Sequence, residues 1–416
     1  MTKTPQELYN EDPYGYSMSQ AVRDGIQLTL AFTQAASAAQ DDKGENLVIS
    51  PFNALQCLAM VANGSAGNTR DQLAKTLFAT DAANLDGKLA DFGQLVKDVL
   101  LANKDSVTLT TAYATWANSE QVALRQDFVD RLAAMGSDVN AVPFSDPSVV
   151  DAINQWCSDN TAGNIDEIIQ DLSPDDLAIL ASALYFKGDW TTPFDAALTA
   201  EKTFTDANGD AFTTDMMHMD SDPVEEQEFS YLNGQDYEAL SLTYGKLDYE
   251  ARKHPTMRLV LVRPTDDNVS ARDWFASQTT TGKTPAWLSD RFGAAVGSIE
   301  LPKLDIDQEH DLKPVLESLG AQDMFDSRAD FTPMVVIGRP YVSEVKQKVV
   351  FKSDEKGSEA AAVTYARMSL ECMKPEPKQI DLKFDRSFVF ALQDIKTKAV
   401  LFTGIVNKPN KAMKPA

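Results

Sequence analysis

The sequence has only three cysteines, Cys57, Cys157 and Cys372. Three cysteines do not make a disulfide framework. Cys57 and Cys157 stand among apolar residues in helical patterns, so we expect both to be buried thiols. Cys372 lies in a polar, proline-containing stretch and is the thiol expected to react, although no neighbouring residue would stabilise its thiolate.

Histidine is equally scarce, with three residues, His218, His254 and His310. The chain contains no HExxH motif, no GxSxG motif and no paired Cys-x-x-Cys. Gly357-Ser358 has neither the strand-turn-helix setting nor the nearby histidine that a nucleophilic serine needs. We therefore expect no enzyme activity, no metal site and no cofactor.

Positive charge is also low, since 38 lysines and arginines face 62 acidic residues and the formal net charge is −24. This balance argues against binding to nucleic acid or to anionic membrane surfaces. No apolar run approaches membrane-spanning length. Residues 1–6 lack a signal-peptide core, but a processed secreted protein would lack one too. We expect secretion, with the cytoplasm as the alternative.

Apolar residues are plentiful, at 43% of the 416 residues, which suffices for a substantial core. Residues 1–17 are polar and rich in tyrosine, and we expect a loose tail. From residue 18 to 416 there is no linker-like change of composition and no repeat, so we expect a single domain. Helical patterns come first and strand patterns dominate the end, which is typical of the α+β class.

Local patterns predict the main elements. Helices are expected at Ser19–Ala39, from Pro51 through Met60, from Asp146-Pro147 to near Gly163, and at Asp311–Leu319, closed by Gly320. Strands are expected at Thr108–Trp116, within Leu177–Trp190, and at Tyr237–Tyr244, Met257–Val262, Phe388–Leu392 and Ala399–Val406.

The stretch from Ser353 to Leu370 is unusual. After Asp354-Glu355-Lys356-Gly357 it alternates with period 2, which predicts a strand with one buried face. One set holds Ser358, Ala360, Ala362, Thr364, Ala366, Met368 and Leu370 and carries no charge. The alanines, however, favour strands poorly and bury little area. The segment is either a half-exposed helix or edge strand beside a flexible loop, or a strand that first lies outside a sheet and later inserts into it.

Residues Glu355–Ala362, EKGSEAAA, closely resemble the proximal hinge of the reactive-centre loop in inhibitory serpins. Leu184–Trp190 resembles the family's FFKG-x-W pattern, Asn46–Phe52 its first core strand and helix, and Leu401–Pro409 its C-terminal strands. The resemblance covers roughly residues 20 to 409. It implies a serpin fold of about nine helices on three β-sheets, with an exposed reactive-centre loop at about 355–383.

The resemblance implies a suicide-substrate inhibitor that traps a serine protease as a covalent acyl-enzyme while the cut loop inserts into the central sheet. The hinge would comprise Glu355, Gly357, Ser358, Ala360, Ala361 and Ala362. The small, uncharged residues of this hinge argue against the alternative, a non-inhibitory serpin acting as carrier, chaperone or storage protein. Asp86–Phe92, which matches the heparin-binding helix of some serpins, has no basic cluster, so we expect no heparin activation. We also expect a monomer.

Counting the usual family hinge length from Gly357 places the cleaved bond at Glu371–Cys372. Such a bond suits acid-preferring, granzyme-like proteases. A shift of one or two residues would place Leu370, Cys372 or Met373 before the cut and would suit an elastase- or chymotrypsin-like protease.

Two support sites follow from the resemblance by position. Trp190, Lys303 and Glu355 match the point where the sheet opens, called the breach, and the last two match a family salt bridge there. Ser50, Asn53, Ser182 and Gln347 match the polar residues under the middle of the sheet, called the shutter. Gln347 replaces the family's histidine, and we expect a rebuilt hydrogen-bond network because buried polar groups need partners.

Overall fold

The structure is a computed structural model that describes residues 18–40, 44–174, 176–221, 228–248, 253–278, 283–358, 376–410 and 414–415. These ranges contain eight α-helices and three sheets. The expected α+β class is confirmed. The described residues contain eight helices, where about nine are expected for the whole chain.

Most of the helices bury one face and expose the other. The helices are α1 Gln20–Ala39, α2 Pro51–Asn63, α3 Gly67–Phe78, α4 Leu85–Asn103, α5 Gln126–Ala134, α6 Ser148–Asn160, α7 Ala271–Gln278 and α8 Lys313–Leu319. In α1, the hydroxyl of Ser19 accepts a hydrogen bond from the amide of Val22 and caps the helix. In α2, almost every side chain is buried, so this helix lies inside the core.

A six-stranded sheet is called here sheet A. Its strands are β2 Thr108–Asn118, β4 Asp138–Val142, β5 Ala178–Asp189, β12 Leu304–Asp311, β14 Glu344–Ser353 and β15 Gly357–Ser358. Their order is β12-β14-β5-β2-β4, with β15 paired to β5. β5 and β14 are direct neighbours and run parallel.

An eleven-stranded sheet forms the other large layer. Its strands are β1 Leu47–Ile49, β6 Ala200–Thr205, β7 Ala211–Asp220, β8 Phe229–Asn233, β9 Tyr237–Tyr244, β10 Met257–Pro264, β11 Gly293–Pro302, β16 Lys378–Lys383, β17 Phe388–Asp394, β18 Val400–Val406 and β19 Lys414–Pro415. Their order is β1-β18-β17-β10-β9-β8-β11-β7-β19, with β16 paired to β11 and β6 paired to β7. A third, two-stranded sheet pairs β3 Ala123–Leu124 with β13 Val335–Ile337.

Two apolar clusters lie on the two faces of sheet A. The larger joins this sheet to α1, α2 and the eleven-stranded sheet. The smaller lies beneath α6 and contains Ile153 and Cys157 of that helix and Ile179 and Ala181 of β5. The helix α6 therefore covers the strand that borders β14.

Most predicted elements are present, with small shifts of their ends. The strand Tyr237–Tyr244 has the predicted bounds. The helix predicted from Asp311 begins at Lys313, since residues up to Asp311 pair with β14, and it ends at Gly320 with φ of 111°. The helix predicted to end at Met60 continues to Asn63.

The two described cysteines, Cys57 and Cys157, are buried and free, as expected. Burial raises the pKa of each thiol to about 12. The remaining cysteine and residues 1–17 lie outside the described ranges. In the part of the chain described, none of the helices combines the length and the hydropathy needed to span a membrane.

Candidate functional site

The strands β5 and β14 pair over only part of their length. Glu344–Gln347 pairs with Ile179–Ser182. Beyond this point, in the described part of the chain, the remainder of β14 has its strand partner on one side only, in β12. Backbone groups on the open side are therefore available to a further strand.

The chain reverses direction immediately after β14. The amide of Asp354 donates to the carbonyl of Gly357 at 2.8 Å, and the amide of Gly357 donates back to the carbonyl of Asp354 at 3.2 Å. After this tight turn, Gly357 and Ser358 lie antiparallel to β5, opposite Asp189 and Gly188. The first two residues after the turn thus already pair with one of the two strands that border the opening.

Gly357 fits this turn because it has no side chain. Its φ is 134°, which side-chain-bearing residues rarely adopt. A Cβ added there would lie 2.3 Å from the carbonyl oxygen of Gly188 and 2.7 Å from the Cα of Asp189. Both contacts are with backbone, so a larger residue cannot enter unless β15 moves away from β5.

The predicted breach residues lie together around this turn. The amide of Trp190 donates to the carbonyl of Lys356 at 2.8 Å, and its indole Nε1 donates to the carbonyl of Asp354 at 2.9 Å. The Nζ of Lys303 lies 2.9 Å from Oε1 of Glu355. One aromatic side chain and one ion pair therefore both hold the turn against the top of β5.

Glu355 is nine-tenths buried yet ionised. Its Oε1 also accepts a hydrogen bond from the hydroxyl of Thr199 at 2.7 Å. Burial alone would raise the pKa of Glu355, but the hydrogen bonds from Lys303 and Thr199 together lower it below its usual value. The hydrogen bond between Lys303 and Glu355 also raises the pKa of Lys303.

The predicted shutter residues also lie close together, and all but Ser182 are joined by side-chain hydrogen bonds. The amide of Ser50 donates to Oε1 of Gln347, and Nε2 of Gln347 donates to the carbonyl of Ser50, each at 2.9 Å. The hydroxyl of Ser50 accepts from the amide of Asn53 at 3.2 Å. Asn53 donates to the carbonyl of Ala183 at 2.7 Å. Ser182 joins them through backbone pairing with Gln347, not through a side-chain bond that the structure records.

The helix α6 and the segment after it form a cover over sheet A. Oδ1 of Asn154 accepts from the amides of Ile168 and Ile169 at 2.8 and 3.1 Å, and its Nδ2 donates to the carbonyl of Ile169 at 2.9 Å. Asn154 therefore ties the helix to the segment that returns across the sheet. This cover packs on β5, the strand that borders β14.

The far end of the expected loop needs a correction. The loop was expected to reach about residue 383, but Lys378–Lys383 forms β16 and pairs in parallel with Ala295–Glu300 of β11. Local composition does not predict this strand, because the pairing joins distant segments.

Several predicted site residues lie outside the described ranges. They are the hinge residues Ala360, Ala361 and Ala362 and the reactive-bond residues Leu370, Glu371, Cys372 and Met373.

Three contacts at the breach were not expected from the sequence. Thr199 donates to Glu355, the amide of Phe194 donates to the carbonyl of Glu355 at 2.8 Å, and Tyr244 stacks on Trp190 with ring centroids 4.1 Å apart. The position of Phe194 could have been predicted from the sequence, since it follows the Leu184–Trp190 motif closely. Thr199 and Tyr244 did not, because only the fold brings them here.

Comparison with known proteins identifies the fold. The family model described as "Serpin (serine protease inhibitor)" matches residues 26–409. Serpin-ZX of Hordeum vulgare is 30% identical over 407 residues, which cover 94% of this chain and 97% of that protein. The leukocyte elastase inhibitor of Sus scrofa is 26% identical over 369 residues, covering 88% and 93%. The solved structure of the thermophilic serpin Tengpin, in the native state, matches with a TM-score of 0.76 and 26% identity, covering 98% of this chain and 95% of that one.

These similarities extend over nearly the full length and include the parts of the chain that carry the turn, the open strands and the α6 cover. They confirm the resemblance seen in the hinge and C-terminal motifs. The chain belongs to the serpin family.

Proposed function

We propose that this protein inhibits a serine protease by covalent trapping, with insertion of its cut loop into sheet A. The observation that carries the proposal is the position of Gly357 and Ser358. They already pair antiparallel with β5, beside the part of β14 that has a partner on one side only. A longer strand that continues in the same direction would pair with both neighbours.

The trap begins as an ordinary proteolysis. The serine Oγ of the protease attacks the carbonyl carbon of Glu371, the bond to the nitrogen of Cys372 breaks, and the amine of Cys372 leaves with a proton. An ester then joins Glu371 to the protease. If about 14 residues insert at about 3.3 Å each, the protease is carried about 46 Å before water hydrolyses the ester. The protease is then pressed against the far end of the inhibitor, and its active site is distorted. The distorted active site no longer hydrolyses the ester.

Insertion requires a starting fold of higher free energy that is kept from relaxing by kinetic barriers. We assign these barriers to three groups of contacts. The ion pair of Lys303 and Glu355 holds the hinge, the Gln347–Ser50 bonds hold the middle of the sheet, and α6 covers the path. Each group of contacts would have to break while the loop enters sheet A and form again once the loop is in place.

The target protease is the finer part of the proposal. The bond Glu371–Cys372 favours an acid-preferring, granzyme-like enzyme, whereas cleavage after Leu370 or Met373 favours an elastase- or chymotrypsin-like one. Similarity to a protein named leukocyte elastase inhibitor supports the second class. We propose a monomer without enzyme activity, acting outside the cell, with the cytoplasm as the alternative.

Independence from heparin belongs to the same proposal. The described helix α4 has two lysines and three aspartates, so it carries no cluster of basic residues. One of these lysines, Lys88, is already paired with Asp24.

The test is incubation with elastase-, chymotrypsin-, trypsin- and Glu-specific proteases, followed by a search for SDS-stable complexes. The released C-terminal peptide is then sequenced, and we expect it to begin at Cys372. If none of these proteases forms an SDS-stable complex, the protein is better described as a non-inhibitory serpin.

A matched pair of variants tests the insertion itself. Ala360→Arg places a charge in the uncharged set of the hinge, and Ala361→Arg places the same charge one residue later, in the set that already carries charges. We expect Ala360→Arg to be cut as a plain substrate and Ala361→Arg to keep most of the inhibition. Equal behaviour of the two variants would contradict insertion as a strand with one buried face.

A further inference from the structure

A cavity of about 1060 Å³ lies away from the hinge, between α2, α4, α5 and β2. Its volume is just above the range of about 300–1,000 Å³ that is typical of sites for small organic molecules. It is lined by Gln56 of α2, by successive turns of α4, by Met135 after α5 and by Tyr113 of β2. The proposed inhibitory mechanism makes no use of it.

The wall formed by α4 is apolar. Leu89, Phe92, Val96 and Leu100 recur at helical spacing and line the cavity together. The first three are buried. This face can accept a flat aromatic or aliphatic body of several rings' length by burial of apolar area.

Gln56 adds a polar group to this wall. It is 3% exposed, and neither Oε1 nor Nε2 has a hydrogen-bond partner. A buried amide without partners costs free energy. Natural proteins satisfy nearly all such groups. The amide therefore suits an occupant that offers it a hydrogen-bond donor or acceptor.

The outer part of the cavity is cationic, in a chain of net charge −24. Arg70, Lys97 and Arg131 line it, against a single carboxylate, Asp86. Arg70 is paired with Asp86, and Arg131 with an aspartate one turn earlier in α5. Among the described residues Lys97 has no acidic partner within salt-bridge distance, so this end of the cavity attracts a negative group.

We propose that this cavity binds a small amphipathic anion. Its apolar body would lie on the wall of α4, a hydrogen-bonding group would meet the amide of Gln56, and its carboxylate or sulfonate would lie near Lys97. The apolar wall, the unpartnered amide and the cationic end together select this class over uncharged lipids and over small inorganic anions.

The test uses the intact protein and 8-anilinonaphthalene-1-sulfonate, a probe with an apolar body, an N–H group and a sulfonate. Isothermal titration calorimetry should give saturable binding of one molecule per chain. A Cβ at Gly93, which lines the cavity, meets nothing within 4 Å, and the same holds for Gly87 in the same helix outside the cavity. We expect Gly93→Trp to weaken binding at least tenfold and Gly87→Trp to leave it unchanged.

A second pair tests the charge. Lys97→Glu should weaken binding about fivefold or more, while Lys104→Glu, at the end of α4 and outside the cavity, should not. Equal affinities within either pair, or binding that does not saturate, would overturn the proposal. Complex formation with a protease is measured on the same variants and is expected to be unchanged, so failure of this site is distinguishable from failure of the inhibitory mechanism.

Discussion

At the scale of single residues, the proposed hinge contains a position where only glycine fits. Gly357 combines a φ of 134° with close contact to the backbone of β5. A φ of this size lies outside the left-handed helical region and is adopted almost only by glycine, and it costs a side-chain-bearing residue about 1–3 kcal/mol. The contact adds a requirement that β15 separate from β5.

The first prediction compares two glycines with positive φ. Gly357→Ala should lose at least half of its inhibitory yield and be cut as a substrate, because β15 no longer lies in line for insertion. Gly209→Ala, with φ of 86° and nothing within 4 Å of the new Cβ, should only be destabilised, by about 1–2 kcal/mol. Stoichiometric titration against a protease and urea unfolding measure the two effects. Normal inhibition by Gly357→Ala would contradict the role assigned to the turn.

A second prediction concerns two buried glutamines. Gln347→Leu removes both hydrogen bonds to the backbone of Ser50 and leaves the buried amide N–H of Ser50 without a partner. The loss should cost about 1–3 kcal/mol of unfolding free energy. Gln56→Leu removes an amide that has no partner, so it should cost less than about 0.5 kcal/mol or stabilise the protein. Urea unfolding of both variants decides. Similar losses in the two would contradict the assigned importance of the shutter bonds.

A third prediction concerns pH. The pKa of Glu355 is lowered from its ordinary value of 4.5, and that of Lys303 is raised from 10.5. The stability contributed by Glu355 is therefore complete above pH 4.5 and lost as pH falls through its folded pKa. The stability contributed by Lys303 is complete below pH 10.5 and lost as pH rises through its folded pKa.

Lys303→Met/Glu355→Gln should thus differ from the wild type most between about pH 5 and 10, by about 1 kcal/mol or less. The difference should shrink at both extremes. Lys352→Met/Asp305→Asn, which removes a pair 3.6 Å apart with both side chains more than half exposed, serves as the control and should differ little at any pH. Unfolding midpoints across the pH range provide the measurement, and a flat difference would count against the ion pair.

At the scale of secondary structure elements, local pattern predicts strands that are buried and continuous. Tyr237–Tyr244 is such a strand, and its predicted ends are correct. Pattern fails where pairing between distant segments decides. The residues before Lys313 pair with β14 and shorten the predicted helix, and Lys378–Lys383 becomes a strand only because β11 lies beside it.

The candidate site shows the same division. Family motifs suggested that Lys303 and Glu355 would lie together, and the two side chains meet at 2.9 Å. Thr199 completes the same site but lies 156 residues from Glu355 in sequence, and no motif marks it. The cavity beside α4 has no local sequence signal either, because it arises from the spacing of whole helices.

A fourth prediction concerns movement of α6. In a Cys57→Ala/Cys372→Ser background, Cys157 is the only thiol, and it is fully buried on the face of α6 that packs against sheet A, with its pKa raised to about 12. It should react with a thiol reagent at a negligible rate in the free inhibitor. During reaction with a protease, labelling should rise at least tenfold, because the inserting strand lifts the cover.

The control for this measurement is the same background with Ala360→Arg, in which insertion is blocked. Cleavage of that variant should leave Cys157 unreactive. If labelling stays slow while the parent background forms complexes, α6 remains in place during insertion, and the barrier assigned to it is wrong.

At the scale of the whole molecule, the proposed mechanism requires a native state that is not the most stable arrangement of the chain. The described fold keeps part of β14 with a strand partner on one side only, and β5 and β14 pair directly over just four residues of each. An inserted strand of about 14 residues would supply ladder bonds to both neighbours. At about 1 kcal/mol for each net hydrogen bond, this amounts to on the order of 10 kcal/mol.

The fifth prediction follows from this difference. Protein cut between residues 370 and 374 should unfold at a temperature about 10 °C or more above that of the intact protein, because the cut frees the loop to enter sheet A. Cut Ala360→Arg should gain much less, whereas cut Ala361→Arg should gain nearly as much as the wild type. Circular dichroism melting curves of cut and intact samples provide the comparison. A cut wild-type protein that melts no higher than the intact one would show that the native fold stores no free energy for insertion, and inhibition by loop insertion would then have no driving force.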